Sequence, residues 1–68
     1  MPRGSEHSLT GLLVVAGRGY ALDVDGGGRW RLDVRDDREA RRLAGRRVAV
    51  IGRRAGFDLL EVETLTPL

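Results

Sequence analysis

Apolar and polar residues alternate along most of this chain with a period of two, the mark of strands that keep one face dry and the other wet. The run Leu43 to Phe57, LAGRRVAVIGRRAGF, shows the pattern most plainly, because Val48 and Val50 alternate with Arg47 and Ala49 between Gly45 and Gly52. It reads as a helix end, a glycine stop, a half-buried strand over 46–52, a basic turn at Arg53-Arg54-Ala55-Gly56 and the start of a last strand. Upstream, Leu9 to Ala16 predicts a first strand with Gly11 inside it. A glycine there marks a bulge or a sharp bend, and a strand so bent can belong to two parts of a sheet. A turn at Gly17-Arg18-Gly19 leads into a second strand, Tyr20 to Asp25.

Gly26-Gly27-Gly28 then separates two alternating runs, YALDVD and RWRLDV, as a hairpin loop. A three-residue loop sets Asp25 against Arg29, Val24 against Trp30, Asp23 against Arg31, Leu22 against Leu32 and Tyr20 against Val34. One face of the hairpin is then wholly apolar, with Tyr20 and Trp30 turned inward. The other is a ladder of opposite charges, which helps to fix register. A slip by one residue would bury the charges.

Asp36 or Asp37 begins a short helix, with Asp36 and Glu39 at capping-box spacing. Ala40, Leu43 and Ala44 form a narrow apolar stripe, and Gly45 is the C-terminal stop. Two turns of helix do not stand alone in water, so this helix is expected to insert Leu43 into one end of a core. In the last strand, 57–65, Phe57 and Leu59 share one parity while Leu60 and Val62 share the other. A bulge near Leu59-Leu60 would reconcile them.

Three strands, a helix and two strands, with a bent first strand, point to an all-β fold: a small five-stranded OB-fold-like Greek-key barrel with one short helix between strands three and four. The rival is an SH3-like barrel, whose helical turn lies before the last strand. Residues 1–8 read as a flexible tail and residues 9–66 as a single barrel domain. Four stretches carry a family likeness: Leu9-Thr10-Gly11 with Leu12, the hairpin Asp25 to Asp33, Leu43-Ala-Gly45-Arg-Arg-Val48-Ala-Val50, and Gly56-Phe57-Asp58-Leu-Leu60. In these the chain resembles small bacterial OB-fold-like proteins of an uncharacterised family. The resemblance spans about residues 9–65 and rests on glycines and core positions, so it brings no active site with it.

Composition adjusts this picture in three ways. With 68 residues the core is marginal, since a chain of this size buries only about 60% of the surface its unfolded form exposes. There is no cysteine, which removes disulfides and thiolate metal sites and fits a reducing compartment such as the cytoplasm. The N-terminal residues lack the apolar stretch of a signal peptide, and no run approaches the length of a membrane span. All twelve basic residues are arginine, yet net charge is only +2. That balance argues against strong, sequence-blind attraction to nucleic acid.

Enzyme chemistry is not expected. No serine or threonine has an evident base, and the single histidine, His7, lies in the expected tail. Asp36 and Asp37 lack a third metal ligand and are better explained by the helix start, so neither a cofactor nor a metal is expected. An OB-fold binds on strands two and three, between the loops joining strands one to two and four to five. Those loops would bring Arg18, Arg53 and Arg54 to the lips of a cleft whose floor carries Arg29 and Arg31. These five are the candidate residues for single-stranded DNA or RNA, or another anionic ligand. Against them, the outer face shows no aromatic ring on which a base could stack. The alternative is a protein-interaction or assembly module, possible as a homodimer, in which the parity of Leu13, Val15, Ala49, Ile51, Leu59 and Leu65 turns them outward.

Overall fold

The structure, a computed structural model, describes residues 6–68. Its elements follow in the order β1 (Glu6–Ala16), β2 (Gly19–Val24), β3 (Arg29–Asp33), α1 (Asp37–Leu43), β4 (Arg47–Arg54) and β5 (Leu59–Pro67). The strands close into a barrel in the order β1-β2-β3-β5-β4, and β4 pairs back onto β1. β5 runs parallel to β3, while the other pairings are antiparallel. The result is the expected all-β, five-stranded barrel with one helix between the third and fourth strands. Among the described residues, closure leaves no open sheet edge to recruit another chain.

Closure depends on a bend in β1. This strand pairs with β4 from Glu6 to Leu12 and with β2 from Gly11 to Ala16. At Gly11 the β2 backbone comes so near that a Cβ would overlap the Asp23 carbonyl oxygen and sit 2.8 Å from its carbon and 2.9 Å from Val24 Cα. The strand begins at Glu6 rather than Leu9, and residues 1–5 of the expected tail lie outside the described residues. His7 is therefore a strand residue: its ring lies 5.1 Å from the Trp30 ring, tilted by 47°.

Leu13, Leu22, Val48, Val50 and Leu60 are wholly buried at the centre, joined by Leu32, Val62 and Leu65. Leu13 and Leu65, whose parity raised the prospect of an outward position, face the core. The helix closes the cluster with Ala40 and Leu43, as its short apolar stripe requires. Asp36 caps it: its Oδ1 accepts from the backbone N–H groups of Arg38 at 3.1 Å and Glu39 at 3.2 Å. Beyond the helix, Gly45 donates to the Leu13 carbonyl at 2.6 Å and Leu13 donates to that of Arg46 at 3.0 Å. These bonds tie the end of the helix to β1.

The hairpin keeps its expected faces in a different register. Tyr20 opposes Leu32, Leu22 opposes Trp30 and Asp23 opposes Arg29, a slip of two residues, which preserves parity. The cause is in the loop, where Val24 N–H donates to Gly28 O and Gly27 N–H to Val24 O, both at 3.0 Å. Asp25, Gly26 and Gly27 thus make the turn, and Gly28 closes it. Tyr20, Val24, Trp30 and Val34 are half-buried against the core instead of sealed within it, because they lie toward the ends of the barrel.

In β5 the core positions change parity between Val62 and Leu65. The pairing with β4 steps from Ile51↔Thr64 to Gly52↔Val62, leaving Glu63 as the extra residue. The bulge is there and not at Leu59-Leu60. Phe57 needs no place in the alternation, since it precedes the strand and is 89% exposed.

Candidate functional site

The parallel pairing of β3 with β5 brings the β4–β5 loop, residues 55–58, beside the outer face of the hairpin. Arg31 N–H donates to the Asp58 carbonyl at 2.7 Å, and its guanidinium meets the Asp58 carboxylate at 3.1 Å. Tyr20, Arg31, Leu32 and Leu59 line an open groove of about 220 Å³ with Ala16 and Gly19, which flank the β1–β2 turn. One guanidinium and a largely apolar lining therefore meet between the β1–β2 turn and the start of β5.

The five expected residues are not gathered equally. Arg29 and Arg31 share the outer face of β3, two residues apart. Arg29 holds Asp23 through Nε at 2.6 Å and Nη2 at 3.1 Å. Arg18 is exposed in the β1–β2 turn. Arg53 and Arg54 are the last residues of β4 rather than a turn. Arg54 reaches into the β4–β5 loop, donating to the carbonyls of Gly56 and Phe57, each at 3.0 Å. Arg53 instead pairs with Glu63 at 3.2 Å, on β5. It belongs to the neighbouring face of the barrel.

The charge ladder is rewired by the slip in register. Asp23 pairs with Arg29 and not with Arg31. Asp25, expected against Arg29, takes Arg47 of β4 and accepts from Thr10 Oγ1 at 3.2 Å. The hydrogen bonds from Arg29 hold the Asp23 carboxyl below its ordinary range, with the guanidinium charge adding to them and partial desolvation opposing. Arg29 is raised in return, chiefly by the hydrogen bond to Asp23. A lowered carboxyl favours folding above its unfolded value, and that help fades as the pH falls through the folded one. Arg41 on α1 is likewise raised, first by Asp37 and then by the hydroxyl of Tyr20.

Three residues of this region were not legible as site residues: Phe57, Asp58 and Arg47. Phe57 supplies the exposed ring that the alternation did not offer, and Arg54 Cζ stands 5.9 Å from its centroid. Its signal was the turn chemistry of Gly56 and Asp58 on either side. Among the described residues no group of three or more His, Cys, Asp or Glu side chains is placed to hold a metal ion, and no helix is long and apolar enough to cross a membrane.

The model of a family described as a protein of unknown function (DUF5818) matches residues 10–68. The chain belongs to this family. The match begins one residue before Gly11 and takes in the hairpin, the helix and the β4–β5 loop, so the barrel of this family member is covered almost from end to end. No curated protein and no solved structure matches the chain.

Proposed function

We propose that this family member is a non-enzymatic OB-fold binding module, which takes single-stranded nucleic acid or another anionic ligand across the outer face of β2 and β3. The strand order β1-β2-β3-β5-β4, with a helix between β3 and β4, supports the OB-fold assignment. The observation that carries the reading is the groove between the β1–β2 turn and the start of β5, where Arg31 stands among Tyr20, Leu32 and Leu59. A largely apolar recess with one fixed cation suits a ligand that joins a ring to an anion. Arg29 and Arg54 would widen the basic surface, with Arg18 at the far lip. The absence of cysteine favours the cytoplasm as its compartment.

Fluorescence anisotropy with a labelled ten-nucleotide oligothymidylate at low salt tests the reading. Binding is expected in the micromolar range and is expected to weaken as salt is added. Two to four guanidiniums on phosphates give a log–log slope of about −1.4 to −2.8. No binding at tens of micromolar, or binding indifferent to salt, removes the reading.

A second observation favours self-association. The outer face of β1, β4 and β5 carries Ser8, Thr10, Ala49, Ile51 and Thr64 in adjoining register, none of them charged, with Leu12 at its border opposite Arg47. Leu12 and Ile51 are 39% and 38% exposed there. Sedimentation at a few hundred micromolar is expected to show a dimer that Ile51→Glu converts to monomer. A native chain that stays monomeric removes this second reading.

A further inference from the structure

The β4–β5 loop holds two side chains that lie outside the barrel's core. Phe57 contributes nothing to the core, being 89% exposed. Its backbone is nevertheless fixed, since Arg54 donates to the carbonyls of both Gly56 and Phe57 at 3.0 Å. The same guanidinium carbon stands 5.9 Å from the ring centroid, which leaves most of the ring to solvent. A ring held at a loop tip by its own backbone is presented, whereas an idle surface phenylalanine has no such fastening.

The second group is Asp58, next in the chain. Its carboxylate lies on the Arg31 guanidinium at 3.1 Å, and Arg31 remains 64% exposed. The ion pair lies in the open, at the edge of the groove, where a competing anion can reach it. A carboxylate on a solvent-exposed guanidinium is weakly held, while a phosphate offers arginine the same bidentate geometry with more charge. Asp58 therefore holds the face of Arg31 that an incoming phosphate would take.

We infer that Phe57 is a stacking platform for one unpaired nucleobase and that Asp58 is a built-in competitor for Arg31, displaced by the adjoining phosphate. This rests on the binding reading above and names its ligand: single-stranded nucleic acid, not a polyanion in general. A duplex keeps its base faces inside the stack and offers only its ends to such a ring. The acidic competitor also keeps a bare polyphosphate from binding well, because charge alone has to displace it.

The test compares the native chain with Phe57→Ala, Phe57→Trp, Asp58→Asn and Arg31→Gln, using labelled ten-nucleotide oligothymidylate, a ten-base-pair duplex and inorganic polyphosphate. Phe57→Ala is expected to weaken the single strand roughly 5- to 150-fold, the worth of one stacked base, and to leave polyphosphate unchanged. Phe57→Trp retains binding. Asp58→Asn is expected to tighten both anions up to about fivefold, the worth of an exposed ion pair, and Arg31→Gln to weaken both. An unaltered single-strand affinity in Phe57→Ala overturns the inference, and so does weaker binding in Asp58→Asn or equal affinity for the duplex. In each of those cases the native chain still binds, so the broader reading survives. A native chain that binds no single strand removes both. None of Phe57, Asp58 and Arg31 is part of the core, so thermal melts of the variants are expected to match the native chain.

Discussion

Replacing Gly11 with alanine is expected to leave the chain only marginally stable at 25 °C. The added methyl group would meet the Asp23 carbonyl oxygen, its carbon at 2.8 Å and Val24 Cα at 2.9 Å, all of them backbone atoms of β2. Backbone in a ladder cannot rotate aside as a side chain can, so β1 and β2 must separate where β1 passes from one partner to the other. A clash of this kind in a packed interior costs roughly 3 kcal/mol or more. A core in a chain of this length supplies rarely more than about 3–5 kcal/mol, so the substitution takes most of it. Gly19→Ala is the control. Nothing lies within 4 Å of a Cβ there, and its φ is not in the left-handed region, so its effect is expected within about 0.5 kcal/mol. Urea titrations followed by circular dichroism check both. A Gly11→Ala midpoint equal to that of Gly19→Ala would mean that β1 does not bend against β2 as described.

Gly11 was legible in the sequence for the same reason that it is sensitive. A glycine amid apolar residues has no packing role, so its presence has to answer to the backbone. The order of the elements, the helix cap at Asp36 and the wedge of Ala40 and Leu43 were legible too, since each follows from local chemistry. The charged partners were not. Alternation fixes which face a residue takes, and a slip by two residues leaves every face unchanged while giving each arginine a different aspartate. Only the hydrogen bonds of the turn, Val24 to Gly28 and Gly27 to Val24, decide between the registers. Contacts between strands far apart in the chain were hidden altogether. Asp58 reaches Arg31 because β5 enters between β3 and β4, and Asp25 reaches Arg47 across β1. Phe57 misled because an aromatic residue beside a strand usually belongs to it. Here Gly56 and Asp58 end the pattern around it, and the ring is left outside.

That division has a consequence for the site. The barrel fixes where β2 and β3 stand, and it does so with a core none of whose residues is charged. The charged side chains on the outer face can therefore exchange partners at small cost, each exposed pair being worth about 0–1 kcal/mol. On the anion-binding reading proposed above, a rigid frame under replaceable ion pairs would position the guanidiniums before a ligand arrives and let it displace their carboxylate partners.

Leu22→Ala tests the frame itself. Leu22 lies on β2, between β1 and β3, opposite Leu13 of β1 on one side and Trp30 of β3 on the other. It is wholly buried, as are Leu13, Val48, Val50 and Leu60. Truncation removes three carbons from the middle of a closed ring of strands, whose backbone cannot collapse inward without breaking a ladder. The cost is expected to be about 2–5 kcal/mol, near the whole stability of so small a domain. Val15→Ala serves as the comparison, because a valine that is 65% exposed loses little when shortened, within about 0.5 kcal/mol. The single tryptophan supplies the readout. Trp30 packs on Leu22's strand and against His7, so its fluorescence is expected to shift to the red in Leu22→Ala without denaturant, and to stay native in Val15→Ala. A native emission spectrum and an unchanged urea midpoint for Leu22→Ala would show that the barrel interior is not centred where the packing of β1, β2 and β3 puts it.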